Sequence, residues 1–142
     1  MPRRAMLLAV FGAGVLAGSA WQPVGMLRAQ SDQRVFELRT YTAPEGKLDA
    51  LKTRFRDHTR RIFDRHGMTS IGYWIPQDAP QSQNTLIYIL AHPSRDAAKK
   101  NWAEFSADPE WQKVAAESQK DGRIVTKVDS VFMDPADFSA IK

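Results

Sequence analysis

The sequence predicts an α+β fold in which a single sheet is built in the order strand, helix, strand, strand, helix, strand. Three observations carry this expectation. Four segments rich in β-branched and aromatic residues are each bounded by Pro, Gly or polar loops. Apolar stripes of helical period separate the first strand from the second, and the third from the fourth. The 142 residues contain no internal repeat or low-complexity tract, and they suit one domain behind a short leader.

The first strand is Val35-Phe36-Glu37-Leu38-Arg39-Thr40-Tyr41, which alternates with period two and is closed by Pro44 and Gly46. Over residues 47–66 the period becomes helical, with Leu48, Leu51, Phe55, Ile62 and Phe63 in one stripe. Between them Arg54, Asp57, Arg61, Asp64 and Arg65 mix the two signs of charge. That is the pattern of a solvated face laced by ion pairs three or four residues apart. Gly67 ends the helix in the position that favours a left-handed backbone. Residues 68–75 form the second strand, stopped by Pro76, and residues 77–84 a polar loop. The third strand, Thr85–His92, is apolar almost throughout. Pro93-Ser94 then opens a helix with Ala98, Trp102 and Phe105 at core spacing. Asp108-Pro109-Glu110 restarts it, with Asp as N-cap, Pro at the first helical position and an acid in the first turn. Gly122 ends this second piece, and residues 124–133 are the last strand. The βαββαβ order is the split arrangement of a ferredoxin-like antiparallel sheet, helices covering one face. The other face, carrying Trp74 and branched residues, is left bare, so a second copy is expected to cover it.

Residues 1–29 read as a secretory signal peptide and residues 30–142 as the domain. Arg3 and Arg4 precede an uncharged apolar run over residues 5–21, Pro23 and Gly25 break it, and cleavage is expected after Ala29 or after Ala20. The alternative is an uncleaved N-terminal anchor, because the run just reaches the lower limit for crossing a bilayer. With the leader removed, no stable membrane insertion is expected, and the location is periplasmic or secreted. The net charge of +4 belongs mostly to the leader: without Arg3, Arg4 and Arg28, 17 basic residues face 16 acidic ones. So balanced a domain exerts little pull on nucleic acid. The chain has no cysteine, which excludes disulfides, thiolate metal sites and a cysteine nucleophile.

Phe36-Glu37-Leu38-Arg39-Thr40-Tyr41, Phe55-x-x-His58, His66-Gly67 and Gly72-Tyr73-Trp74 resemble the NIPSNAP family. So do Trp102-x-x-Phe105-x-x-Asp108-Pro109-Glu110-Trp111 and Pro135-x-Asp137-Phe138. The resemblance spans nearly the whole chain after the leader. It implies a dimeric α+β barrel, in which two ferredoxin-like sheets pack face to face. The wider barrel superfamily holds cofactor-free monooxygenases, haem-degrading enzymes and isomerases, and fold likeness does not choose among them.

Taking Phe36, Leu38 and Thr40 to face the helices puts Glu37, Arg39 and Tyr41 on the open face. There Glu37 and Arg39 are expected to meet Lys127 and Asp129 as cross-strand charge pairs. Such a network either fixes the register of a dimer or forms the polar wall of an inter-sheet cavity, with Tyr41, Trp74 and Tyr73 or Tyr88 as aromatic lining. His58 lies close to the apolar stripe and is expected as a core histidine at the edge of the sheet. In the functional alternative, His58 or Glu37 is a general base and Arg39 stabilises an enolate-like anion. His66 suits the helix C-terminus and His92 a loop; the histidine spacings match no metal site, and no cofactor is expected. The candidate ligand residues are therefore Glu37, Arg39, Tyr41, His58 and Trp74. The functions in view are small-molecule binding in a homodimer, a cofactor-free monooxygenase or isomerase, and a structural interaction module.

Overall fold

The computed structural model describes residues 34–142, so the leader expected over residues 1–29 lies outside the described residues. Strand β1 is Val35–Thr42. Helix α1 covers residues 48–65 in three continuous pieces: Leu48–Arg54, a wider π-turn Phe55–Thr59, and Arg60–Arg65. Strand β2 is Thr69–Trp74 and β3 is Thr85–His92; the loop between them contains one helical turn, Gln81–Asn84. Helix α2 is Arg95–Ala107, α3 is Pro109–Ser118, and β4 is Lys127–Met133. Among the described residues no helix is long and apolar enough to cross a membrane.

The caps follow the residues that occupy them. The Ser94 hydroxyl accepts from Ala97 N at 3.0 Å, and Asp108 accepts from Glu110 N at 2.8 Å with Pro109 opening α3. Gly67 has a positive φ directly after His66, where α1 stops, whereas α3 already ends at Ser118 and Gly122, also of positive φ, lies in the turn beyond it. The sheet runs β2-β3-β1-β4 with all neighbours antiparallel, which is the ferredoxin-like order expected.

The two faces of that sheet are exchanged relative to expectation. Glu37, Arg39 and Tyr41 pair across from Leu90, Tyr88 and Leu86 on one side, and from Phe132, Ser130 and Val128 on the other. This face meets the helices: Tyr41 and Tyr88 both lie edge-on or tilted against Phe55, at 5.6 and 5.1 Å between centroids. Phe36, Leu38 and Thr40 belong to the open face, with Ala91, Ile89 and Ile87 of β3 and Met133, Val131 and Asp129 of β4. Side chains in a strand alternate strictly, so a single wrong assignment turned every one of them over. Lys127 and Asp129 pair with each other at 2.8 Å on the open face and do not meet Glu37 or Arg39.

The core lies between sheet and helices, around Leu51, Phe55, Ile62, Phe63, Tyr88 and Phe105. Opposite it, Trp74 and Val131 remain about half exposed, at 49% and 53%. The Trp74 indole covers Gly72, where a Cβ would come within 2.6 Å of it. Arg61 and Arg65 reach across to α3 instead of pairing along their own helix. Arg61 binds Glu110, and Arg65 binds Asp108 at 2.6 Å and Glu110 at 2.8 Å. His66 Nε2 joins the same clasp, 2.7 Å from Asp108 Oδ2.

Candidate functional site

Glu37 is the centre of the helix-side polar site. It is 1% exposed, on the middle of a strand with neighbours on both sides. A carboxylate there survives only if its oxygens are saturated by donors. Oε1 accepts from Arg39 Nη1 and from Ser130 Oγ, each at 2.7 Å. Oε2 accepts from Trp102 Nε1 at 2.7 Å and from His92 Nε2 at 3.0 Å. Four donors from β1, β3, α2 and β4 thus fill the carboxylate's four lone-pair positions. Burial pushes the Glu37 pKa up, but His92, Trp102, Ser130 and Arg39 outweigh it and hold the group at about 2.

This saturation decides what Glu37 does. A carboxylate that is ionised far below neutral pH and has no free lone pair is a poor general base. Its role is positional. It binds one end of the Arg39 guanidinium, which lies 4.2 Å from the Trp102 ring centroid and 5.6 Å from that of Tyr41. Arg39 Nε is buried and without a hydrogen-bond partner. Burial works against the Arg39 cation, but Tyr41, Tyr88 and Glu37 raise its pKa above the ordinary value, and the charge is permanent. Tyr88, fully buried, keeps its phenol proton because burial and the neighbouring Tyr41 both raise its pKa. Since Glu37 only accepts, His92 must carry a proton on Nε2 towards it, while His92 Nδ1 has no partner.

Beside this network a cleft of about 420 Å³ opens, lined by Glu37, Arg39, Arg95, Lys99, Trp102 and Phe132. The Arg95 guanidinium sits 3.8 Å from the Phe132 ring centroid. Two arginines and a lysine face Glu37, which is already neutralised, and Asp96. The cleft thus combines flat aromatic surfaces with an excess of positive charge.

Of the residues singled out from sequence, Glu37, Arg39 and Tyr41 come together, but on the helix side and not between two sheets. Trp74 sits on the open face at the β2 edge, opposite Ile87. His58 is exposed on α1, and it lines a different cavity from Arg39. The buried position of that turn is taken by Thr59, 1% exposed. The proposed pairing of a His58 base with Arg39 is therefore not assembled. Three of the groups that hold Glu37 were missed, and Ser130 of β4 was not singled out at all. Trp102 was read as packing alone, yet its indole N–H holds Glu37. His92 was read as a loop residue, yet it is 0% exposed and ends β3. The period-two series Leu86, Tyr88, Leu90, His92 carried the signal for it.

The NIPSNAP family model matches residues 36–140. None of the curated proteins matches the chain. Among solved structures, a NIPSNAP family protein of Agrobacterium tumefaciens, described as of unknown function, is similar in two crystal structures. One gives 24% identity with TM-score 0.68, covering 79% of this chain and 96% of that one. The other gives 26% identity with TM-score 0.66, covering 76% and 99%. A monooxygenase of Streptomyces coelicolor, solved in complex with nanaomycin D, is similar at 17% identity and TM-score 0.51, over 78% of this chain and 93% of that one.

Proposed function

The chain belongs to the NIPSNAP family, and on that premise we propose that it is a homodimeric small-molecule binding domain whose ligand enters the helix-side cleft of each copy. The observation that carries this reading is Arg39: held by Glu37, placed over the Trp102 ring, on the wall of the cleft, and with a buried Nε–H that no protein group satisfies. A planar anion beside Trp102 and Phe132 would meet the exposed part of the Arg39 guanidinium and the charge of Arg95 and Lys99. The likeness to the Streptomyces coelicolor monooxygenase is one of fold alone. With Glu37 saturated, binding is the better reading than catalysis.

Arg39→Met tests it. Glu37 keeps three of its four donors in that variant, so the loss of stability is expected at about 1.5–3 kcal/mol, the worth of one hydrogen bond to a charged group. Native mass spectrometry of protein purified from its own host should show a retained small molecule in the unmodified protein and none in Arg39→Met, both as dimers. Equal retention by both would refute the assignment.

The dimer is proposed to form through the open faces. What supports it is β3, whose residues are apolar on both sides: Leu86, Tyr88 and Leu90 against the helices, Ile87, Ile89 and Ala91 away from them. Strands with this pattern are ordinarily covered on both faces. We also propose export of the domain, supported by the charge, apolar run and small residues of the leader. The exported protein should then have a mass that begins at Gln30; an intact leader, or release only by detergent, would point to an anchor instead.

A further inference from the structure

Between α1 and α3 lies a second groove, of about 570 Å³, which shares no lining residue with the cleft beside Arg39. Its wall includes Arg54, His58, Lys113, Val114 and Ser118. Arg54 is the unusual member. It is 6% exposed, and no carboxylate pairs with it among the described residues. Its Nη1 makes one long bond of 3.4 Å to Ser118 Oγ, its guanidinium lies 5.1 Å from the Trp111 ring centroid, and its Nε has no partner. Burial lowers its pKa, against the opposing influence of Tyr41 and Tyr88.

An arginine on a helix normally extends its head into water, and holding it inside without an anion is unfavourable. The π-turn contributes to this placement. Arg60 N bonds to Phe55 O, five residues back, and the Thr59 hydroxyl donates to Arg54 O at 3.2 Å. The widened turn presents Arg54 and His58 to the same groove, and such turns recur at functional sites. Two carboxylates also line the groove. Glu110 is already held by Arg61 and Arg65, and Glu117 is exposed. Arg54 and Lys113 therefore exceed Glu117 by a single positive charge.

We propose that this groove binds a monocarboxylate with an apolar tail. The carboxylate lies against Arg54 and Lys113 within hydrogen-bonding reach of His58, and the tail runs along Ala50 and Val114. The single excess charge selects a monoanion over a phosphate dianion. The bidentate geometry of a guanidinium suits a carboxylate.

Calorimetric titration with decanoate, and with decanol as the uncharged control, tests this on the purified protein. Decanoate is expected to bind at least about tenfold more tightly than decanol, a margin that one charge-assisted pair readily supplies. Arg54→Met should abolish that preference while leaving the melting midpoint unchanged or higher, because an uncompensated buried charge has been removed. Arg39→Met should bind decanoate as the unmodified protein does, which separates this groove from the cleft. The proposal is overturned if decanoate and decanol bind the unmodified protein equally, or if neither binds. It is overturned as well if Arg54→Met keeps the preference, or if that variant unfolds, since Arg54 would then be a structural residue.

Discussion

Glu37→Gln is expected to lower the melting midpoint by more than about 10 °C. The substitution is nearly isosteric, so the effect comes from chemistry and not from volume. Glu37 accepts from four donors. A glutamine offers one oxygen and one NH2, and either way round the NH2 confronts a group that can only donate, Trp102 or Arg39. At one end it faces Trp102 and His92; at the other, Arg39 and Ser130. Arg39 also loses its counter-charge. Breaking a buried charge pair from one side costs about 3–5 kcal/mol, and each kcal/mol moves the midpoint of a domain this size by about 4–8 °C. The same residue leaves a signature in acid. Its pKa lies near 2 in the folded chain against 4.5 ordinarily. Because the folded value is the lower one, the stabilisation is complete above pH 4.5 and is lost as the pH falls towards 2, an amount of about 3 kcal/mol. Glu110 and Asp108, held low by Arg61, Arg65 and His66, add to the acid limb in the same direction. Denaturant titrations between pH 2 and 6 should therefore show a shallower slope for Glu37→Gln than for the unmodified protein. Identical slopes and a midpoint within a few degrees would mean the carboxylate is not held as described.

Leu38→Asp is expected to convert the proposed dimer into a folded monomer. Leu38 lies at the centre of the open face, between Ile89 of β3 and Val131 of β4, and touches no part of the helix-side network. Pressed against a second sheet, a carboxylate there would be stripped of water with no partner, a penalty of several kcal/mol and enough to dissociate a dimer of ordinary affinity. In a monomer the same carboxylate is simply solvated. Sedimentation at micromolar concentration should give twice the chain mass for the unmodified protein and once for Leu38→Asp, with unchanged far-ultraviolet circular dichroism. A monomeric unmodified protein, or a variant that still dimerises, would remove the face-to-face pairing.

The order of elements was legible because each transition is written in local chemistry. Examples are the Asp108-Pro109-Glu110 restart, the stop at Gly67, and the run of β-formers from Thr85 to His92, which matches β3 end for end. The direction of the sheet faces was not legible, for a physical reason. Both sides of β3 are largely apolar, so its alternation separates two sets without saying which set meets the helices. Charge was a misleading guide here. Glu37 and Arg39 look like surface residues, yet a partner in each neighbouring strand and in α2 lets the carboxylate sit in the interior. His58 illustrates the opposite error. Its spacing from Phe55 and Ile62 placed it near the stripe, but the π-turn gives the inward position to Thr59. A widened turn has no composition of its own by which to recognise it.

Antiparallel order also settles where the described domain begins and ends. β1 and β4 are neighbours running in opposite directions, so the start of one lies beside the finish of the other, with Phe36 paired to Met133. The residues beyond close the gap: the Arg34 side chain bonds Lys142 O through Nε at 2.9 Å. In topological terms the domain is almost a ring, its two ends no farther apart than the length of one arginine. Anything joined before residue 34 and anything joined after residue 142 must leave from the same corner of the sheet, beside the β4 edge. A reporter placed at either end occupies the same region of space, and a short linker would be long enough to join the ends.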